Sequence, residues 1–286
     1  MPRNDDMLNG FSDSPDGSLN KKTDPGEEKY IQPEIKTHSP RLHLLDAYRG
    51  LVVLMMTAYH FCFDLFVLYG GDRTWSSKKP VFAWEQFICS SFILLSGFVW
   101  NYGKKHCIKR GLLISACGLI VTIVTVIANP GFPIYYGVLF FIGAATILLL
   151  PISPALEKVP ASVVLTVSLI LFLLTYGFRL GYLGIYTKKL VSLPETLYRY
   201  DFLTPLGFPK KGFISGDYFP LIPWFFLYIC GHSLYHLIAK KESFIRIASV
   251  KLPVLDFIGR HSLIIYMLHQ PLCLLLLMVI MRFVSA

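Results

Sequence analysis

Charge is what this sequence has least of. Asp, Glu, Lys and Arg together make up 16% of its 286 residues, where soluble domains carry about a quarter. That shortfall excludes an ordinary water-soluble globular fold. Also missing is the alternation of apolar and polar residues, in segments of about ten, that a transmembrane β-barrel needs. The six cysteines (Cys62, Cys89, Cys107, Cys117, Cys230, Cys273) make no CxxC and no paired Cys/His spacing. Neither a disulfide framework nor a zinc site follows from them, and no metal is expected. Walker, GxGxxG, HExxH and GxSxG motifs are all absent, which removes a soluble nucleotide fold. The first residues are polar and lack an apolar core, so no signal peptide is expected. No internal repeat is visible.

Apolar residues are what it has in excess, at 54% with a mean hydropathy of +0.53. They form continuous runs at about 44–69, 82–101, 108–128, 134–151, 160–178, 218–239 and 261–284. Each is near the roughly 20 residues that cross a bilayer as a helix. The expected fold is all-α, a polytopic transmembrane bundle of about seven spans over 41–286. Residues 1–40 are rich in Asp, Gly, Pro, Ser and Lys and read as a disordered cytoplasmic tail. The formal charge of +9 does not imply nucleic acid, because the basic residues cluster between the apolar runs. Lys104, Lys105, Lys109 and Arg110 lie in one such loop, and Lys240, Lys241, Arg246, Lys251 and Arg260 in another. Both are expected to be cytoplasmic, and the uncharged "ANPGFP" external. The long connection 179–217 then falls outside, although it is basic. Its stretch "GYLGIYTKKLVSLPETLY" is too polar to span and is expected to be re-entrant or interfacial.

The first apolar run, "LLDAYRGLVVLMMTAYHFCFDLF" from Leu44 to Phe66, carries Asp46, Arg49, His60 and Asp64. At about 100° per residue, His60 falls roughly 20° from Arg49, and both acids roughly 60° from it. All four share one stripe, which should face the interior, since ionisable groups in hydrocarbon mark functional sites. Arg49 and Asp46 lie near the cytoplasmic mouth, and His60 about 16 Å deeper. Asp64 stands four residues beyond His60, placed to hydrogen-bond it and stabilise its charged form. That is a general-base arrangement. The plainer reading makes Asp46–Arg49 a structural ion pair and His60 a packing residue.

The last run, "GRHSLIIYMLHQP", sets Ser262, Tyr266, His269 and Cys273 on one face. Pro271 is expected to kink the helix just beyond His269. Arg260 and His261 mark its cytoplasmic end. Glu85 in the second run reads as an interfacial residue. Asp217, in "GDYFPLIPW", has the position of a cap for the sixth span. Pro220 and Pro223 should break that span's first turns. His232 reads as a packing residue.

"RLHLLDAYRGLVVLMMTAYHFCFDL", "FILLSGF", "LGFPKKGFISGDYFPLIPWF" and "IGRHSLIIYMLHQP" together resemble the catalytic-domain family of heparan-α-glucosaminide N-acetyltransferase, over about 41–282. The likeness is greatest to its small bacterial members and extends to the wider acyltransferase-3 superfamily. The resemblance implies an acetyl group taken from cytoplasmic acetyl-CoA and passed across the membrane to an amine or hydroxyl of a glycan. It places Asp46, Arg49 and His60 in the first-span signature, and Asp217, Ser262 and His269 in later ones. The chain is shorter than the eukaryotic enzyme, which points to a bacterial surface glycan as acceptor and a bacterial cytoplasmic membrane as location. Expected partners are thus membrane lipids, acetyl-CoA and a glycan or amino sugar, with a homodimer left open. His60, Asp64 and His269 are the expected catalytic residues. Asp46, Arg49, Asp217, Arg260, Ser262 and Tyr266 are the expected substrate-binding ones. The competing class is a transporter or channel that uses the intramembrane His/Asp stripe as a proton relay. The absence of an internal repeat weighs against it.

Overall fold

The computed structural model describes residues 42–185 and 188–284, so the tail expected at 1–40 lies outside them. Long helices dominate. They are α1 (His43–Phe63), α2 (Lys79–Trp100), α3 (Cys107–Ala128), α4 (Val138–Leu156) and α5 (Ala161–Thr175). A hairpin of β1 (Tyr182–Ile185) and β2 (Lys188–Ser192) follows. Then come α6 (Leu221–Ile238), the short α7 (Glu242–Ala248) and α8 (Pro253–Arg260), and α9 (Ser262–Val284).

Among the described residues, six helical stretches are long and apolar enough to cross a membrane. One of them, Lys79–Ala128, is 50 residues long, about twice what a bilayer needs. It contains both α2 and α3, joined by a 3₁₀ turn at Asn101–His106. The chain turns back within it. Trp100 Nε1 donates to the Thr146 carbonyl at 2.9 Å, and Gly111, eleven residues on, packs against Gly143 and Ile147 of the same helix α4. The stretch therefore supplies two legs, and the bundle has the crossings that seven apolar runs require. The outward surface is apolar: Ile127 is 75% exposed and Phe283 79%. Exposure of that size, repeated along most of the long helices, fits hydrocarbon lipid as the neighbour rather than water.

The connections sort into two ends. At the first, Lys104 pairs with Glu157 at 2.9 Å, the Phe98 ring meets Phe244 of α7, and His43 meets Asp256 of α8. This is called the α7–α8 end. At the second, Gly216 N–H donates to the Pro133 carbonyl and Phe219 N–H to that of Tyr136. The β-hairpin lies there too, and this is called the hairpin end. The stretch expected to be re-entrant or interfacial contains an antiparallel hairpin, with Tyr182 opposite Ser192 and Ile185 opposite Lys188. The reason is local. Gly181, at φ 86°, turns the chain after Leu180, and pairing the two strands satisfies backbone groups that a polar loop cannot leave bare in lipid. The expected break at the start of the sixth span is present: Ile222 is extended, at φ −98° and ψ 124°. Pro271 lies inside α9, which continues past it to Val284.

Two apolar clusters form the interior. One joins α2, α4 and α6 through Ile93, Trp100, Phe141, Leu149, Trp224 and Tyr228. The other gathers Val52, Met56 and Tyr59 of α1 with Trp75 and Ile88. Tyr266 of α9 touches both. In the first cluster α2 and α6 cross at glycines. A Cβ on Gly97 would stand 2.1 Å from the Tyr228 carbonyl oxygen, and one on Gly231 2.1 Å from that of Leu94. Both obstacles are backbone, so a methyl group forces the helices apart. Gly97→Ala is expected to destabilise the protein by about 1–3 kcal/mol, read as a fall in Tm in detergent. Gly131→Ala, whose nearest neighbour would be Asn129 Oδ1 at 3.9 Å, should leave Tm in place. Equal Tm values for the two variants would contradict the close crossing.

Candidate active site

The site begins at the crossing of α1 and α8. A Cβ on Gly50 would lie 2.2 Å from the Leu255 carbonyl oxygen, and one on Gly259 1.8 Å from that of Asp46. Only glycine fits at either point, which accounts physically for one residue of "DAYRG" and one of "IGRHS". Beside this crossing Arg49 Nη1 meets Asp46 Oδ1 at 3.3 Å, both side chains largely shielded. His43 Nδ1 lies 2.9 Å from Oδ2 of the buried Asp256. Arg260 is exposed at the end of α8 and donates from Nε to the Asp256 carbonyl at 3.2 Å. The charges of Arg49 and Arg110 also reach one another. This end therefore carries several cations.

Deeper in, α1 and α9 bring two histidines together. The rings of His60 and His269 are 4.7 Å apart between centroids, tilted by 58°, and the Tyr266 ring lies 5.3 Å from His269. His269 Nδ1 is 2.5 Å from the Tyr266 carbonyl oxygen. A carbonyl only accepts, so neutral His269 carries its proton on Nδ1 and keeps a lone pair on Nε2. That Nε2 atom is buried and has no hydrogen-bond partner. Neutral, unprotonated imidazole nitrogen in an interior is the form that takes up a proton or attacks a carbonyl.

The expected His60–Asp64 hydrogen bond is not formed. Asp64 is fully buried, and both of its carboxylate oxygens accept from Gln270 Nε2, at 3.0 and 2.9 Å. The helix between His60 and Asp64 is regular, since the Asp64 N–H still bonds the His60 carbonyl; the carboxylate turns to Gln270 of α9 instead. Asp64 thus clamps α9 to α1 beside the histidine pair rather than polarising His60.

A third group lies toward the hairpin end. Tyr59 donates to Glu85 Oε2 at 3.0 Å. Asp217 Oδ2 accepts the Val138 N–H at 2.9 Å, so it caps α4 and not, as expected, the sixth span. The correction follows from a close approach, because Gly137 leaves room for the carboxylate against α4. Asp217 is electrostatically coupled to Tyr266, Cys89 and Glu85. Acidic groups thus stand on the hairpin side of the histidine pair, and basic groups on the other.

Of the residues expected from sequence, the structure brings together His60, His269 and Tyr266, with Asp64 one contact away. Asp46, Arg49 and Arg260 gather at the α7–α8 end. Ser262 begins α9 at that same end, seven residues and about 10 Å from His269 along the helix. Sequence reading missed Gln270, Tyr59 and the pairing of His43 with Asp256. Gln270 stands inside the quoted "HQP". His43 and Asp256 are 213 residues apart, and no local pattern joins them. It read His232 as a packing residue and did not connect it with His236. They are spaced i, i+4 and gather with Glu157, all ligand atoms within 4.8 Å of one another.

A helical bundle with an apolar outer surface and paired histidines in its interior, between basic and acidic groups, has the build of an integral membrane protein. Residues 41–271 match the family described as heparan-alpha-glucosaminide N-acetyltransferase, catalytic, and the chain belongs to that family. Membership implies a membrane acetyltransferase. No curated protein and no solved structure matches this chain.

Asp217 gives the site a pH signature. Burial raises its carboxyl to about 6; the Val138 N–H bond opposes that rise and Glu85 adds to it. The folded state therefore favours neutral Asp217. Its contribution to stability is complete below about pH 4, the ordinary unfolded value, and is lost as pH rises through about 6. Asp217→Asn is neutral throughout. It is expected to match the parent near pH 4 and to exceed it above pH 7 by up to about 3 kcal/mol. Tm of the detergent-purified pair at both pH values checks this, and parallel pH dependence would reject it.

Proposed function

We propose that the chain transfers an acetyl group from acetyl-CoA, bound at a cytoplasmic α7–α8 end, to an amine or hydroxyl of a glycan entering from the hairpin end, in a bacterial cytoplasmic membrane. The observation that carries this is the His60–His269 pair, with the His269 tautomer set by the Tyr266 carbonyl. Around it the charges are ordered as such a transfer needs. Acetyl-CoA is anionic at its nucleotide end, and Arg49, Lys104, Lys105, Arg110 and Arg260 offer it charge-assisted hydrogen bonds. The Asp46–Arg49 contact is long, at 3.3 Å, which leaves the guanidinium able to turn to a phosphate. Its thin arm would carry the thioester inward to the histidines. At the other side Glu85 and Asp217 attract the ammonium of an amino sugar.

The chemistry balances with these groups alone. In one route His60 takes a proton from the acceptor, whose nitrogen or oxygen attacks the thioester carbonyl. The tetrahedral oxyanion is stabilised by the Tyr266 hydroxyl. The C–S bond then breaks, and the imidazolium returns its proton to the CoA thiolate. In the other route a histidine nitrogen attacks first, the C–S bond breaks and CoA thiolate leaves; the acceptor then attacks the acetyl-imidazole, the C–N bond to the histidine breaks, and the acceptor's proton passes through the second histidine to the thiolate. His269 Nε2, buried and without a hydrogen-bond partner, stands beside the His60 ring with its lone pair free to take part in either route. A transporter would leave acetyl-CoA intact. Purified protein given radiolabelled acetyl-CoA should hydrolyse it slowly or become labelled itself, and doing neither would sink the reading.

Two variants sharpen it. His60→Ala should lower turnover about 10²–10⁴-fold at an unchanged level of folded protein. If the two rings act as one unit, the His60→Ala/His269→Ala double variant should be little worse. Full activity in His60→Ala rejects the mechanism, and multiplicative losses would make His269 an independent packing residue. Arg49→Ala should raise the apparent KM for acetyl-CoA with kcat nearly unchanged. The loss of one charge-assisted contact is worth about 1.5–3 kcal/mol, or roughly 10- to 150-fold. An unchanged KM in membranes with matched protein removes Arg49 from the donor site.

A further inference from the structure

We propose that Glu157, His232 and His236 form a transition-metal site of zinc type at the α7–α8 end, separate from the histidine pair. His232 and His236 are one turn apart on α6, the i, i+4 spacing by which two imidazoles of one helix face share an ion. Glu157, just past α4, completes the set, with all three ligand atoms within 4.8 Å of one another. Zn–N and Zn–O bonds of about 2.0–2.2 Å put tetrahedral ligand atoms roughly 3.3 Å apart. Closure thus needs roughly 1.5 Å of side-chain movement at most. Three protein ligands and one open position is a common zinc arrangement.

A second observation points the same way. His232 is 1% exposed, and neither of its ring nitrogens has a hydrogen-bond partner. Buried polar atoms are nearly always satisfied. Here the ring is instead held edge-on between Trp100, at 5.5 Å, and His236, at 4.7 Å. It lines a cavity of about 330 Å³ that His236 and Glu157 also line, with Ser233 and Pro160. Lys158 also lines the cavity, but the carboxylate and the two imidazoles gather as a cation-binding trio. Its competitor is Lys104, whose Nζ lies 2.9 Å from Glu157 Oε1. Both of those side chains are about 40% exposed, and ion pairs of that exposure are weak. Imidazole with carboxylate suits zinc among the divalent metals. A bound ion would tie the end of α6 to the α4–α5 turn, stabilising the fold by mass action.

The test is zinc binding by the metal-stripped, detergent-purified full chain, read as zinc per chain and as Tm. One zinc per chain and a rise in Tm are expected. His236 and Glu157 are exposed, so their variants should fold. Glu157→Gln and His236→Ala should each lose more affinity than the roughly 10–100-fold typical of an outer-shell partner, and should lose the Tm rise. Lys104→Met, which frees Glu157, should bind zinc more tightly. Unchanged affinity in Glu157→Gln and His236→Ala, or no stoichiometric zinc in the parent chain, would overturn the site.

Discussion

Where α1 crosses α8, Gly50 and Gly259 carry no side chains, and the two backbones touch. Much of the site depends on that contact. Only His261 separates α8 from α9, so seating α8 on α1 also sets where α9 meets α1. Three contacts follow higher up: Cys273 Sγ with the Thr57 carbonyl, His269 with His60, and Gln270 with Asp64. Any side chain at the crossing would separate the helices, and a displacement of about 1 Å at a reacting group is enough to matter.

The bilayer explains why the polar groups are so ordered. A bare charge in hydrocarbon costs several kcal/mol, so each ionisable residue within a span must find a partner or a cavity. Asp64 has Gln270, Glu85 has Tyr59, and Arg49 has Asp46. His60 and His269 escape the cost differently, because a neutral imidazole carries no charge to desolvate. The same chemistry that makes them tolerable in the interior leaves them with lone pairs. Interior histidines between basic and acidic groups are therefore consistent both with membrane burial and with the group transfer proposed.

Much of this was legible from residue pattern. The apolar runs correspond to the helices to within a few residues, since the length and continuity of a span are set by bilayer thickness alone. The stripe of Asp46, Arg49, His60 and Asp64 turns inward as the helical period requires, with Leu51 and Leu54 outward at 43% exposure each. Where reading failed, a non-local feature intervened. The His60–Asp64 bond was read from one helix alone, and Gln270 of another helix takes the carboxylate. Asp217 was read against the helix that follows it, and it serves one that begins 79 residues earlier. The connection after α5 was read as re-entrant or interfacial, and its strand pairing, β1 with β2, was not foreseen.

What the sequence by itself determined is the set of membrane-crossing helices, the inward face of the first, and the family. Each of these follows from local period, length or motif order. Which side chains touch was decided only by the tertiary structure. The pairing of His60 with His269, the clamp of Asp64 on Gln270, the tautomer of His269, and the gathering of Glu157 with His232 and His236 all join residues from different elements or depend on backbone geometry. A helix period states which way a side chain faces. It does not state what stands opposite, because that depends on how closely two helices approach and at what angle, and here glycines at the crossings settle both.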